Sequence, residues 1–221
     1  MNGERSELSK GAIEQMALEK LPNPMKEMRG DKIDDFITEL REKQKNNYDD
    51  IHLRATLTRL TGQVTESPFN DFESVRKEER DNKQKIELHG SNKQWDEATD
   101  ILGDVYTTDK RMADRIMSEK TVEKYIEPML KHLEDEVRDI SSAEIDPKNA
   151  YLLLRSLNRL HQMNNERGRN IRAEIPPEKV DEIIKKMEEN IASLMRDPHE
   201  SRTAGIRIGE LLDFHRNEVQ R

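Results

Sequence analysis

The chain has no cysteine, one tryptophan, four tyrosines and four phenylalanines among its 221 residues. The missing cysteine excludes a disulfide framework, a thiol nucleophile and every cysteine-based metal site. Scarce aromatics argue against sandwiches and barrels, whose strands draw on β-branched and aromatic side chains. No segment approaches the run of about 18 apolar residues that a membrane span needs, and charges are scattered through Met1 to Leu21 where a signal peptide would carry an apolar block. A soluble, cytoplasmic chain without membrane contact is therefore expected. Three further patterns are absent: G-x-x-x-x-G-K-[ST], G-x-G-x-x-G and G-x-S-x-G. Nothing local points to phosphate cradling or to an activated serine.

What the chain does have is charge. Asp, Glu, Lys and Arg make up 38% of it, with a formal net charge of −8, where an average domain carries about 25%. Mild acidity disfavours bulk nonspecific binding to nucleic acid or anionic lipid. Leu, Ile, Val and Phe together number 47, only just above the level of roughly 20% below which chains tend to stay disordered.

Apolar residues recur at helical spacing through most of the sequence. Ala12, Ile13, Met16, Ala17 and Leu21 form one stripe, Ile33, Phe36, Ile37 and Leu40 a second, and Leu53, Leu57 and Leu60 a third. Pro22 and Pro24 break the first, while Asp31 and Asp49 or Asp50 are suitable N-caps for the others. From Thr61 to Gln94 the pattern fails, and Arg76 to Lys85 holds no apolar residue. That stretch reads as a polar linker, with room for a solvated helix.

Beyond it six stripes follow, starting at Trp95, Met112, Val122, Ala150, Val180 and Ile208. Pro128 falls inside the third, so a kink or restart is expected there, because proline removes a donor and clashes with the preceding turn. Asp146-Pro147, Pro176-Pro177-Glu178 and Asp197-Pro198-His199-Glu200 mark three helix starts. No repeat of constant length is visible. The expected fold is all-α: stacked amphipathic helical hairpins, as a bundle or short α-solenoid. It divides into an N-terminal helical arm (1–60), a charged polar linker (61–94) and a C-terminal helical-hairpin domain (95–221).

Three local features bear on function. His132 and Glu136 lie four apart on one predicted helix, half of a metal site, but no second ligand pair stands nearby. A solvated or ion-paired face is the expectation, with no metal and no cofactor. Arg155, Arg159, Arg167, Arg169 and Arg172 form a basic stretch with a single acid, Glu166, whereas Glu127 to Asp146 holds seven acids against Lys131 and Arg138. The arginines are candidate contacts for an anion or partner, the last three in a loop after a helix. Alternatively they pair with the acidic helix inside the fold. Tyr151, Leu152, Leu153 and Leu154 cover more than one helix face, so Tyr151 and Leu152 are candidate interface residues, in a central helix or at an oligomer contact. Ten methionines at helical positions are expected as core filler.

Together these features predict a non-catalytic helical module binding other proteins through helix faces, with self-association included: an adaptor, scaffold or assembly factor. The alternative is a nucleic-acid-associated regulator using the Arg155 to Arg172 surface. An enzyme is not expected.

Overall fold

The computed structural model describes residues 33–47, 49–63, 72–142, 144–163 and 166–219. The stripe from Ala12 to Leu21 and the Asp31 cap lie outside them. Among the described residues ten α-helices occur and no strand: α1 (Asp34–Asn46), α2 (Ile51–Thr61), α3 (Phe72–Ser91), α4 (Trp95–Thr108), α5 (Lys110–Ser118), α6 (Lys120–Ser142), α7 (Pro147–Gln162), α8 (Glu166–Glu174), α9 (Pro177–Leu194) and α10 (Ser201–Val219). The all-α expectation holds. No helix among the described residues is long and apolar enough to cross a membrane.

Several helix ends follow directly from side-chain chemistry. The Asp50 carboxylate accepts from Leu53 N at the start of α2, and Asp146 accepts from Lys148 N and Asn149 N, both at 2.8 Å, with Pro147 in the first turn of α7. These bonds satisfy amides that the helix itself leaves unpaired. Gly62 closes α2 with a φ of 67°, a left-handed conformation that costs glycine nothing.

Four helices form a closed ring: α2 packs on α4, α4 on α7, α7 on α10, and α10 on α2. α7 is also covered by α6, α8 and α9, which makes it the central helix of the molecule. Its neighbours α4 and α10 run in its own direction, since Asp96, Asp100 and Thr107 meet Arg155, Arg159 and Gln162 in ascending order, and Arg207 and Asn217 meet Tyr151 and Asn158 likewise. Parallel neighbours require crossovers. α3 makes the first, α5 and α6 the second, α8 and α9 the third.

The structure departs from the expected organisation in two places. Residues 72–91, expected in the linker, form α3, which packs on α4 and α6. Its inward stripe is Glu78, Asn82, Ile86 and Gly90, one residue per turn and mostly polar, so hydropathy cannot show it. Gly90 is needed there because a Cβ would come within 2.8 Å of the Tyr125 ring. α2, expected in the N-terminal arm, is built into the core: nine of its eleven residues are buried, and one apolar cluster runs from Ile33 to Phe214 across both expected boundaries. Of the kink or restart expected at Pro128, the restart does not occur: α6 continues through it. The carbonyl deprived of its donor belongs to Lys124, on an exposed turn where water can serve it.

Candidate functional site

Inside the ring lies a cluster of buried charges. Arg59 on α2 places Nη2 2.7 Å from Asp104 of α4 and Nε 2.7 Å from Asp213 of α10. Arg159 on α7 reaches Asp104 and Glu210, both at 3.4 Å, and Asp100 at 3.2 Å. Arg216 completes the set by contacting Asp213 at 3.0 Å and donating from Nη2 to the Arg59 carbonyl at 2.6 Å. Three guanidinium groups thus face four carboxylates: Asp104, Glu210 and Asp213 inside the ring and Asp100 at its edge. Neutral side chains close the remaining valences: Asn158 donates to Glu210 at 2.9 Å, Arg159 to Gln162 at 2.8 Å, and Gln162 to Thr107 at 3.0 Å.

Such burial demands this completeness. An isolated charge inside protein costs several kcal/mol, about as much as close opposite partners restore. Burial alone would raise the Asp104 carboxyl, but Arg59, the His52 hydrogen bond and Arg159 override it and hold it at about 2. Glu210 follows the same balance, with burial overcome by Arg59 and Arg159, and stays below its ordinary value. His52 caps the cluster at the surface, its Nδ1 2.6 Å from Asp104, and that hydrogen bond raises its pKa.

The two halves of the cluster correspond. Leu57-Thr58-Arg59-Leu60 on α2 matches Leu157-Asn158-Arg159-Leu160 on α7, and Gly103-Asp104 on α4 matches Gly209-Glu210 on α10. Each glycine makes room for the arginine of the other pair. A Cβ on Gly103 would sit 2.4 Å from Arg159 Cδ, and one on Gly209 3.3 Å from Arg59 Cβ. This Leu-x-Arg-Leu and Gly-acid correspondence is the trace that the periodicity reading missed, because each element is only a few residues long and the spacing between elements differs.

At one end of the ring a polar cleft of about 340 Å³ opens, lined by Thr58, Tyr106, Lys110, His161, Gln162 and Asp213 among others. Its walls come from the last turns of α4 and α7 and the C-terminal half of α10, so several helix dipoles point their negative ends towards it. Cations collect there accordingly. His161 is held below its ordinary value by burial and by Arg172, Arg169 and Lys110, which keeps its ring neutral at pH 7. Chemically the cleft offers hydroxyls, an amide and a neutral imidazole beside fixed positive charge.

The five arginines of the basic stretch are not gathered on one surface. Arg155 lies 3.4 Å from Asp96 and 3.5 Å from Asp100, and Arg159 is in the cluster. Arg167 pairs at 2.6 Å with Glu127 and at 3.4 Å with Glu134 of the acidic helix. The segment carrying it is helix α8 rather than a loop, since Gly168 lets α8 settle on the Leu160 carbonyl, 2.8 Å from where a Cβ would stand, and Ile171 is buried. Arg172 is buried with its guanidinium 4.4 Å above the Phe214 ring, whereas Arg169 is exposed. Tyr151 and Leu152 are half-buried on α7, and Arg207 covers the Tyr151 ring at 4.4 Å. His132 meets Asp96 at 3.0 Å, with Glu136 beside them.

No protein family, no curated protein and no solved structure matches this chain, so its own geometry carries the functional reading.

Proposed function

We propose that the chain is a non-catalytic helical module that binds other proteins through a helix face. One observation carries this reading: on α3 the large apolar side chain of Leu88 stands 58% exposed, whereas exposed Phe72, at the other end of the helix and on another side of it, lies under the Arg76 guanidinium. Leu88 borders a groove of about 410 Å³ whose rim mixes Lys77 and Lys85 with Asp49 and Asp81. An apolar anchor with charges of both signs around it suits a peptide or helix of mixed charge better than a polyanion. Support for the nucleic-acid alternative is weaker, because Arg155, Arg159 and Arg172 are turned into the fold and Arg167 already faces two acids.

Photo-crosslinking from Gln84, an exposed neighbour of Leu88 on the groove rim, separates the two. Protein adducts that disappear in Leu88→Glu, at unchanged helicity, are expected. Adducts carrying RNA or DNA, with binding that falls about 0.7 to 0.9 log units per log unit of salt for each phosphate contact and is lost in Arg167→Ala/Arg169→Ala, would replace this reading with the nucleic-acid one.

A further inference from the structure

His132 and Glu136 stand one turn apart on α6, so both side chains leave the same face of the helix. Alone they are two ligands of an incomplete set. The packing of α4 against α6 adds the third: Asp96, 36 residues earlier, brings Oδ1 to 3.0 Å from His132 Nε2. One donor atom from each of the three residues lies within 4.8 Å of the other two. We propose that Asp96, His132 and Glu136 form a site for a divalent transition-metal ion of borderline softness, such as Zn²⁺ or Co²⁺.

The donor set fits that class of ion. One imidazole nitrogen and two carboxylates are ligands that zinc and its neighbours accept, and three protein ligands leave a coordination position for water. Bonds of about 2.0 to 2.2 Å require donors roughly 3 to 4 Å apart, which small rotations of the half-exposed Asp96 and the partly exposed His132 provide. The third ligand is already oriented, because Ser156 of α7 donates its hydroxyl to Glu136 Oε2, the kind of outer hydrogen bond that fixes a ligating carboxylate. Partial exposure also gives the ion an entry path from solvent.

One group works against the ion. Arg155 Nη2 lies 3.4 Å from the same Asp96 oxygen, while its Nη1 holds Asp100 at 3.5 Å. The guanidinium competes for Asp96 and keeps Asp100 when the metal takes its place. Affinity is therefore set by this competition, and removing Arg155 tightens binding. A bound ion clamps α4 to α6 and, through Ser156, to α7, and stabilises the folded chain by mass action.

The test is calorimetric titration of the full, chelator-treated chain with ZnCl₂, together with the visible absorption spectrum on adding CoCl₂. A single saturable site of micromolar affinity, with cobalt bands of a low-coordinate nitrogen and oxygen site, is expected. His132→Ala and Glu136→Gln should each weaken binding by at least about tenfold at unchanged circular dichroism, and Arg155→Ala should strengthen it. The isosteric Glu136→Gln keeps the test decisive if the alanine variant misfolds. Absence of saturable binding, or binding that neither substitution weakens, overturns the site. Unchanged or weaker binding in Arg155→Ala removes Asp96 from the ligands and overturns it equally.

Discussion

Helix α9 buries Ile183, Met187 and Ile191, one residue per turn, whereas α3 buries Glu78, Asn82, Ile86 and Gly90 at the same spacing. The packing period is common to both, and the chemistry is opposite. In α9 the stripe is stabilised by removing apolar area from water, at roughly 25 cal/mol per Å². In α3 the buried carboxylate of Glu78 is tolerable because Arg54 of α2 meets it inside the fold. The ring at the centre extends the α3 solution to four helices and a network of arginine–carboxylate pairs. A polar interface of this kind adds little net stability, since desolvation cancels most of the attraction, but it penalises every arrangement that leaves a charge alone. An apolar interface is more tolerant of slippage.

The strongest way to break this comparison is to remove one charge and then two opposite pairs together, leaving Asp213 with Arg216. Arg59→Met leaves Asp104, Glu210 and Asp213 short of a partner and should cost about 3 to 5 kcal/mol in urea unfolding. Replacing Arg59, Asp104, Arg159 and Glu210 together by Met or Leu should cost less than that single change. If the quadruple variant is the less stable, the cluster supplies net stability and the contrast with α9 fails. On the apolar side, Met187→Ala should cost about 2 to 5 kcal/mol, through lost transfer energy and a residual cavity. A loss below about 1 kcal/mol there would show that the α7–α9 seam repacks freely.

Acid sharpens the contrast further. Asp104 titrates near 2 in the fold, below its ordinary 3.8. Its contribution is therefore complete above pH 4 and lost as pH falls towards 2, on the order of 2 kcal/mol. Wild type should lose this stability over that window, measured by urea midpoints, and Asp104→Asn should show a flatter profile. The smallest effect belongs to His52, whose side chain is 59% exposed and whose pKa is raised by Asp104. A raised pKa means that its stabilisation is full below about pH 6.5 and disappears as pH climbs through the folded value. His52→Gln should be less stable than wild type at pH 5.5, by about 0.2 to 1 kcal/mol for a pair this exposed, and equal to it at pH 8.5.

The legible parts of the fold are those where burial and hydropathy coincide. α7 and α9 could be placed from Leu153, Leu157, Ile183 and Met187, and their starts from Asp146, Pro147 and Pro177, because a capping carboxylate specifies the first end and the fixed φ of proline in the first turn suits both. α3 was hidden because three of its four buried residues are Glu, Asn and Gly. The cluster was hidden for a related reason. In an acid-rich chain Asp104 and Glu210 look like any other carboxylates, and only tertiary contacts 45 to 55 residues apart distinguish them. Of the basic stretch, pairing with the acidic helix was foreseeable for Arg167, but the partners of Arg155 and Arg159 on α4 were not. His132 and Glu136 were visible as a pair, and Asp96 entered only through the packing of α4 on α6.

The crossovers between parallel ring helices also govern how fast the molecule can assemble. Arg59 meets Asp213 across 154 residues, so this contact closes only after every intervening helix has found its place. A helical bundle dominated by local contacts folds in microseconds to milliseconds, and this topology moves the chain towards slower classes. Helices can nucleate early with their arginines still hydrated, and the central charges lose that water last. Substitutions in the cluster should then leave the refolding rate nearly unchanged and accelerate unfolding, as expected for contacts absent from the transition state. The ring would act as a kinetic latch in this sense: whatever a broken pair costs in equilibrium stability appears in full as faster unfolding.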